Sequence, residues 1–416
     1  MPENKTVPKH QSMDQFESLD NDLLVNGLSV QRVKQIAGQT PFYVYDRQVI
    51  RQNILLLRDN LPDAIKLHYA VKANPMPQLV SYIQSQVDGL DVASGKELSI
   101  AINSGMTAND ISFAGPGKSE NELSMAIAAG ITINVESFNE LKRIKSLTEK
   151  CDYPAKVALR VNPDFELKSS GMKMGGGAQQ FGIDAELIPD AINIIRDYEF
   201  DLQGLHIFTG SQNLNVDHIM SAHENIFKLA DQISQQNGIA FKHLNIGGGL
   251  GIPYFPGEKE IDDEGIRQIG DALDMLIERY HQSFADTEII MELGRYLVGN
   301  AGLYVCEVTD IKESRGKTFV IVNGGLHHHL AASGNFGQVI RKNYPVAVAN
   351  KINQPVDKAV QIVGPLCTPL DILANQYELP KIEMGDLIAI YQSGAYGYTA
   401  SPRDFLSHLQ PVEILV

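Results

Sequence analysis

Lys72 lies in an apolar run, Tyr69-Ala70-Val71-Lys72-Ala73-Asn74. Desolvation there would lower the pKa of its amine and make it nucleophilic toward an aldehyde. Gly247-Gly248-Gly249, followed by Gly251, offers side-chain-free backbone whose N–H groups can converge on a phosphate dianion. Glu292, in Met291-Glu292-Leu293-Gly294-Arg295, puts a carboxylate beside a guanidinium that can grip the same phosphate through two parallel hydrogen bonds. His206 closes an apolar run, where an imidazole can lie flat against a cofactor ring, and Arg160 closes another. Cys367, in Gly364-Pro365-Leu366-Cys367-Thr368-Pro369, and Tyr396, in Ser393-Gly394-Ala395-Tyr396-Gly397, add a thiol and a phenol nearer the C-terminus. Taken singly, each has a plain structural reading: a snorkelling lysine, a tight turn, an ion pair, a core histidine, a buried thiol or aromatic.

The elements that must position these groups are short β-branched and aromatic runs at 67–74, 89–94, 111–115, 131–137, 157–162, 202–208, 243–249 and 289–295. Stretches with apolar residues at three- and four-residue spacing separate them, such as ENELSMAIAAG and IRQIGDALDMLIERYHQ. Such alternation implies right-handed βαβ crossovers and a parallel sheet. Eight strands over ~230 residues fit a TIM-like (β/α)8 barrel, whose reactive groups stand where strands end at the carboxyl face. Ser94-x-x-Glu97 and Ser137-x-x-Glu140 are expected to be capping boxes at two helix starts. After residue ~300 the pattern changes to strand-like runs joined by loops, with ESRGK as a hairpin turn. The expected division is a flexible leader and one helix over 1–37, an α/β barrel over 38–300, and a mostly antiparallel β domain over 301–416.

Composition removes other classes. Lys plus Arg against Asp plus Glu gives 35 − 50 = −15, and the cations are scattered rather than gathered into a stripe, so neither nucleic acid nor an anionic membrane is an expected partner. Three distant cysteines, Cys151, Cys306 and Cys367, without a CxxC, argue against a disulfide framework or a zinc site and fit a reducing cytoplasm. The polar N-terminus carries no apolar targeting segment, and no stretch reaches 18 uninterrupted apolar residues.

Together, an amine nucleophile, a phosphate cradle, a carboxylate, a stacking imidazole and a thiol are what pyridoxal 5′-phosphate requires. The motifs Tyr69-Ala-Val-Lys72-Ala-Asn, Asp91-Val-Ala-Ser-Gly-Lys-Glu97, Arg160-Val-Asn-Pro, Gly247-Gly-Gly, Glu292-Leu-Gly-Arg295, Gly364-Pro-Leu-Cys367 and Gly394-Ala-Tyr396-Gly resemble, in order, the motif set of fold-type III pyridoxal-phosphate-dependent decarboxylases, the diaminopimelate and ornithine decarboxylase family. The resemblance runs from about residue 40 to 410. It implies an alanine-racemase-like barrel with a β domain, Lys72 as Schiff-base lysine, His206 stacked on the pyridine ring, and Glu292 against the pyridine nitrogen. It assigns Ser211, Gly248, Gly249, Arg295 and Tyr396 to the phosphate, Gly294 to the cofactor site, and Arg160, Asp91 and Glu97 to support of ring and imine. It makes Cys367 a catalytic thiol lent to the neighbouring subunit, and hence the protein a homodimer with shared active sites. A carboxylate at position 292 keeps the ring nitrogen protonated and favours decarboxylation, where an arginine would favour racemisation.

Two departures bear on the substrate. Thr368-Pro369 follows Cys367 where relatives of this resemblance carry an acid for a distal amine, and the next acid is Asp371. His327-His328-His329 stands where diaminopimelate decarboxylases have an Arg…Tyr segment. In a strand these histidines would alternate faces, so no metal site is expected. His328 and Asp371 are the residues expected near the substrate's side chain. These features, with Lys173-Met-Gly-Gly, Gln180-Phe-Gly-Ile and the segment His206–Ser211, resemble the branch holding carrier-protein glutamyl decarboxylases of butirosin-type biosynthesis and siderophore-pathway decarboxylases. The implied substrate is a tethered or modified amino acid. The alternatives are a free diamino-acid decarboxylase acting on diaminopimelate, lysine or ornithine, a racemase, and a non-catalytic decarboxylase-like binding protein.

Overall fold

All eight runs expected as strands form strands, and they close on themselves. In the computed structural model, which describes residues 9–151, 153–165, 172–173, 175–338 and 340–416, these are β1 (Ile65–Ala70), β2 (Gly89–Val92), β3 (Ile111–Phe113), β4 (Thr132–Val135), β5 (Lys156–Asn162), β6 (Asp201–His206), β7 (His243–Gly248) and β8 (Glu288–Leu293). Each pairs in parallel with its sequence neighbours, and β8 pairs with β1, so no edge remains in the ring. Helices including Gly95–Asn103, Glu120–Ala129, Val216–Asn237 and Asp263–Arg279 carry the chain from one strand to the next.

The barrel interior departs from the usual layers of branched aliphatic residues. His68, Asp91, Ser112, Asn134, His206, Asn245 and Glu292 are all buried polar residues on its strands. Burying such groups is costly unless they are paired, so their partners carry information.

Capping differs in detail from expectation. Ser94 and Ser137 do accept the backbone N–H groups of Glu97 and Glu140. The two carboxylates reach one residue further upstream, to the amides of Ala93 and Glu136. The complete reciprocal box is at Ser119 and Glu122, opening the helix Glu120–Ala129.

The chain divides into two compact units, one of residues 53–251 and 261–296, the other of 1–52, 252–260 and 297–416. The second is built on strands Val346–Val348, Leu387–Ile390, Gly302–Ser314, Lys317–Val322, Lys358–Val363 and Ile372–Leu379 in that spatial order. Along that order the pairings are antiparallel except for the parallel pair of Lys317–Val322 with Lys358–Val363, and Val412–Leu415 also pairs in parallel with Phe42–Tyr45. The hairpin at ESRGK forms as expected, with Arg315 and Gly316 both at positive φ (49° and 77°), the geometry a two-residue type I′ turn needs.

The boundaries differ from a simple division at residues 38 and 301. Phe42–Tyr45 pairs with both Gly302–Val305 and Val412–Leu415, making it a strand of the β unit. The described part of the N-terminal segment, from residue 9, is no free leader either. Ser18–Leu19, Asp22–Val25 and Leu28–Ser29 form a small antiparallel sheet. Leu23, Val25, Val30 and Val33 join Phe42, Val44, Leu303 and Leu387 in one apolar cluster. The helix Val30–Ala37, capped by Ser29 and ended by Gly38 at φ 72°, is as expected. No helix among the described residues is long and apolar enough to cross a membrane.

Candidate active site

Lys72 falls in a single 3-10 turn, Val71–Ala73, just past β1 rather than inside it. Val71 and Ala73 are buried while Lys72 is exposed, so the turn rolls the amine out of the core. The Tyr69 hydroxyl donates to the Asn74 carbonyl (2.9 Å) and the Asn74 side chain accepts from Met76 N–H (3.1 Å), which fixes that turn. The Lys72 Nζ stands 5.5 Å from the centroid of the Phe208 ring. Gly294 makes the neighbouring approach possible, since a Cβ there would lie 2.8 Å from Ala73 Cβ and 3.1 Å from the Ala70 carbonyl oxygen.

Across the barrel mouth, His206 on β6 and Glu292 on β8 meet at 2.9 Å between Nε2 and Oε2, both buried. Burial alone would raise the Glu292 carboxyl. The charges of His206, Lys72 and Arg160, with the His206 hydrogen bond, outweigh it and hold the group well below the usual carboxylate range. Position 292 is therefore an anion at neutral pH. Arg160 on β5 donates to Glu136 Oε1 at 2.9 Å, with its guanidinium 4.9 Å from the Phe181 ring centroid. Glu136 in turn accepts the amides of Gly115 (2.6 Å) and Gly182 (3.2 Å), tying two loops to the ion pair. Glu97 is raised by burial, against which the Ala93 amide and Lys72 pull it down. Asp91 accepts a short hydrogen bond from the Ser112 hydroxyl and faces His68 Nδ1 at 3.5 Å.

The glycine run after β7 is dictated by crowding as well as by turn geometry. Gly247 and Gly249 have φ of 69° and 91°, and a Cβ on Gly248 would drive into the Glu292 carbonyl oxygen. A Cβ on Gly249 would strike the Gly210 carbonyl, so the loop after β6 lies directly on the glycines and brings Ser211 beside them. Arg295 follows β8 by two residues. Lys72, Asp91, Glu97, Arg160, His206, Ser211, Gly248, Gly249, Glu292, Gly294 and Arg295 are thus all gathered by the barrel unit at or beside its carboxyl ends. Of their buried polar atoms, His206 Nδ1 and Asp91 Oδ2 have no hydrogen-bond partner among the described residues.

Cys367, Tyr396, His328 and Asp371 belong to the β unit. Cys367 is an exposed free thiol, whereas burial drives the Cys306 thiol far above its usual pKa and leaves it inert. Tyr396 takes a left-handed backbone, φ 55°.

Two expectations need correction here. Asp371 is buried, and its carboxylate oxygens are taken by the amides of Leu326 (2.6 Å) and Leu366 (2.9 Å), so it staples two loops of its own unit rather than facing a ligand. The three histidines lie in a turn, not a strand, and all three are fully buried. His329 Nδ1 accepts from Ala332 N–H, and its Nε2 meets a Ser393 hydroxyl already committed to backbone carbonyls, which defines a neutral tautomer. His328 Nδ1 meets the Tyr304 hydroxyl at 3.2 Å. Burial lowers His327 to about 4 and His328 and His329 to about 3. No group of three metal-ligating side chains occurs among the described residues. The segment Lys173-Met-Gly-Gly falls partly outside the described residues, at Met174.

Sequence reasoning missed Glu136, His68 and the buried pair of Lys118 with Glu140 (2.8 Å). The Glu140 spacing to Ser137 was a visible signal, but it pointed to a cap and not to a buried ammonium.

Residues 47–299 match the family described as pyridoxal-dependent decarboxylase, pyridoxal binding domain. The chain is 40% identical over 382 residues to L-glutamyl-[BtrI acyl-carrier protein] decarboxylase of Niallia circulans, covering 91% of this chain and 89% of that one. It is 30% identical to 2-[(L-alanin-3-ylcarbamoyl)methyl]-2-hydroxybutanedioate decarboxylase of Staphylococcus aureus, over 92% of this chain and 95% of that one. In three dimensions it resembles the diaminopimelate decarboxylase of M. jannaschii crystallised with L-lysine, with a TM-score of 0.85 at 26% identity, covering 96% and 92% of the two chains.

Proposed function

This chain belongs to the pyridoxal-dependent decarboxylases, and from that membership we propose that its substrate is an amino acid tethered to a carrier or otherwise modified, from which it removes the α-carboxylate as CO2. The observation that carries the substrate class is the state of Asp371. The acid nearest after Cys367 is buried with both oxygens occupied by backbone amides, and Thr368-Pro369 supply no other carboxylate for a distal ammonium. The 40% identical relative that acts on a carrier-bound glutamyl group supports the same class.

The residues gathered at the barrel mouth fit the coenzyme: an exposed amine, an ionised buried carboxylate, orphaned polar atoms at His206 and Asp91, and glycines that admit no side chain. Pyridoxal 5′-phosphate, when bound, supplies the electron sink that accepts the pair left by departing CO2. Lys72 would hold the coenzyme through its aldehyde. Glu292 keeps a proton on the ring nitrogen, and His206 covers the ring face. Ser211, Gly248, Gly249, Arg295 and Tyr396 would hold the phosphate, and Gly294 lets the end of β8 approach the Lys72 turn. Arg160, Asp91 and Glu97 support these groups. Cys367 delivers the proton to Cα across a homodimer interface, so each site borrows a thiol. The reducing cytoplasm suits that exposed thiol.

The test is a CO2-release screen of purified enzyme loaded with coenzyme, against free amino acids and carrier-bound glutamate. Turnover of the carrier-bound or modified amino acid is expected. Activity confined to free diaminopimelate, lysine or ornithine overturns the substrate class, and release of no CO2 from any of them with racemisation instead overturns the reaction.

A further inference from the structure

Beneath Glu292 the barrel is polar down to its opposite end. His68 on β1 is in register with Glu292 on β8 and with Gly89 on β2. Gly89 is what admits the imidazole, because a Cβ there would collide with His68 Nε2. The ring turns its Nδ1 toward Asp91 at 3.5 Å, and Asp91 also accepts from Ser112, whose oxygen accepts from Asn134 Nδ2 at 3.1 Å. His68, Ser112, Asn134 and Asn245 then line a cavity of about 30 Å³ whose other walls include His243, Glu288, Asn109 and Asp110. Those last residues begin or precede their strands, so the cavity belongs to the amino-terminal end of the barrel. Roughly 10–15 Å³ of such space can hold one water, for which these side chains supply hydrogen-bond partners.

We propose that His68 and Asp91 form a proton-holding pair inside the barrel, exchanging with solvent through the cavity at the amino-terminal end, and that the pair sets the charge of Glu292 from beneath. Its purpose rests on the reading of Glu292 as the ring-nitrogen partner, whereas its existence does not. The groups that face it are Asp91 and Asp88 at β2, Glu292 on β8, and His243 with Glu288 and Asp110 at the lower rim. Burial alone would lower the His68 imidazole, but Asp91, with Glu292 and Asp88 beyond it, lifts it above its usual value. Asp91 is itself raised by burial and by the charge of Glu292. A proton on His68 therefore offsets one of two carboxylates that repel each other, and its loss would move protonation onto the acids, with Glu292 among them.

The experiment has arms without and with coenzyme. In the coenzyme-free protein with 15N-labelled histidine, NMR titration is expected to find His68 protonated on both nitrogens above pH 6.5, and Asp91→Asn to bring its midpoint below that value. A wild-type midpoint at or below 6.5, or one indifferent to Asp91→Asn, overturns the pair. Ala158→Val, which narrows the cavity, is expected to slow exchange of the imidazole N–H with solvent while leaving the midpoint in place. Unchanged exchange overturns the route. In the loaded enzyme, His68→Gln is expected to shift the pH midpoint of the coenzyme's visible absorbance by about one unit, a tenfold change in proton affinity, and His68→Gln with Asp91→Asn to return it. A purely structural role for His68 would not be rescued by removing a second charge, so failure of that rescue overturns the link to Glu292. Failure of any coenzyme chromophore to form would instead strike the functional reading, with the NMR arm still deciding the pair.

Discussion

Replacing Lys72 by alanine removes the one atom proposed to bond to the coenzyme, so the purified variant should lack the visible absorbance of lysine-bound coenzyme and lose activity by at least about a thousandfold. An unchanged spectrum contradicts the assignment. Glu292→Gln keeps the shape but not the charge, and should retain that chromophore while kcat falls by about a hundredfold, the scale of one displaced electrostatic group. A second residue-level consequence comes from the neutral histidines. His223, His327, His328 and His329 are held at about 3 to 4 in the folded chain by burial, against about 6.5 unfolded. Below pH 6.5 the unfolded chain takes up protons that the folded one refuses. Stability is then full above pH 6.5 and drains as pH falls toward 4, on the order of 1 kcal/mol per pH unit for each such group. The urea midpoint should drop between pH 7 and 5, and less steeply in His329→Gln; equal slopes refute the origin. Lys72, His206 and Glu292 were legible in the sequence because each stands at or just past the end of a strand as an isolated polar residue in an apolar run. Glu136 and His68 were not, because linear spacing does not tell which residues of neighbouring strands share a level inside a closed barrel.

At the scale of elements, strand alternation and helical spacing carried enough information to mark every strand of the barrel, since a strand buried on both faces must be apolar and short. What they could not mark was closeness of approach. Gly248 read equally well as a phosphate cradle or a tight turn, and its position against the Glu292 carbonyl shows that it also sets the spacing of β7 and β8. Gly248→Ala should force those strands apart, lowering stability by roughly 1–3 kcal/mol, as overpacking does. It should also weaken coenzyme retention, measured by thermal melting with and without added coenzyme. Gly316→Ala, in the exposed hairpin with nothing near its Cβ, should cost stability through its positive φ while leaving coenzyme retention intact. Loss of coenzyme in both variants would show that general destabilisation, not the cradle, is responsible. The N-terminal strands escaped sequence reading for a related reason: Ser18–Leu19 and Leu28–Ser29 are two residues long. Elements so short have no period to detect, and their pairing with Asp22–Val25, whose Leu23 and Val25 are buried in the β core, gives them a fixed place.

For the whole molecule, the division of groups between the two units decides how the sites can be tested. The lysine, imidazole and carboxylate are in the barrel unit, and the exposed thiol is in the β unit. If each site of a homodimer takes its barrel residues from one copy and Cys367 from the other, then Lys72→Ala and Cys367→Ala damage opposite halves of every site. Each homodimer is inactive, but a mixed dimer has one site carrying both defects and one carrying neither. Dissociating and reassociating equal amounts gives mixed dimers as half of the population, each half active, so about a quarter of wild-type activity should return. If Cys367 served the site of its own chain, every site in the mixture would carry one defect and nothing would return. The recovery must also depend on protein concentration during reassociation, because it requires exchange of subunits, and a mixture of folded homodimers that never exchange should remain inactive.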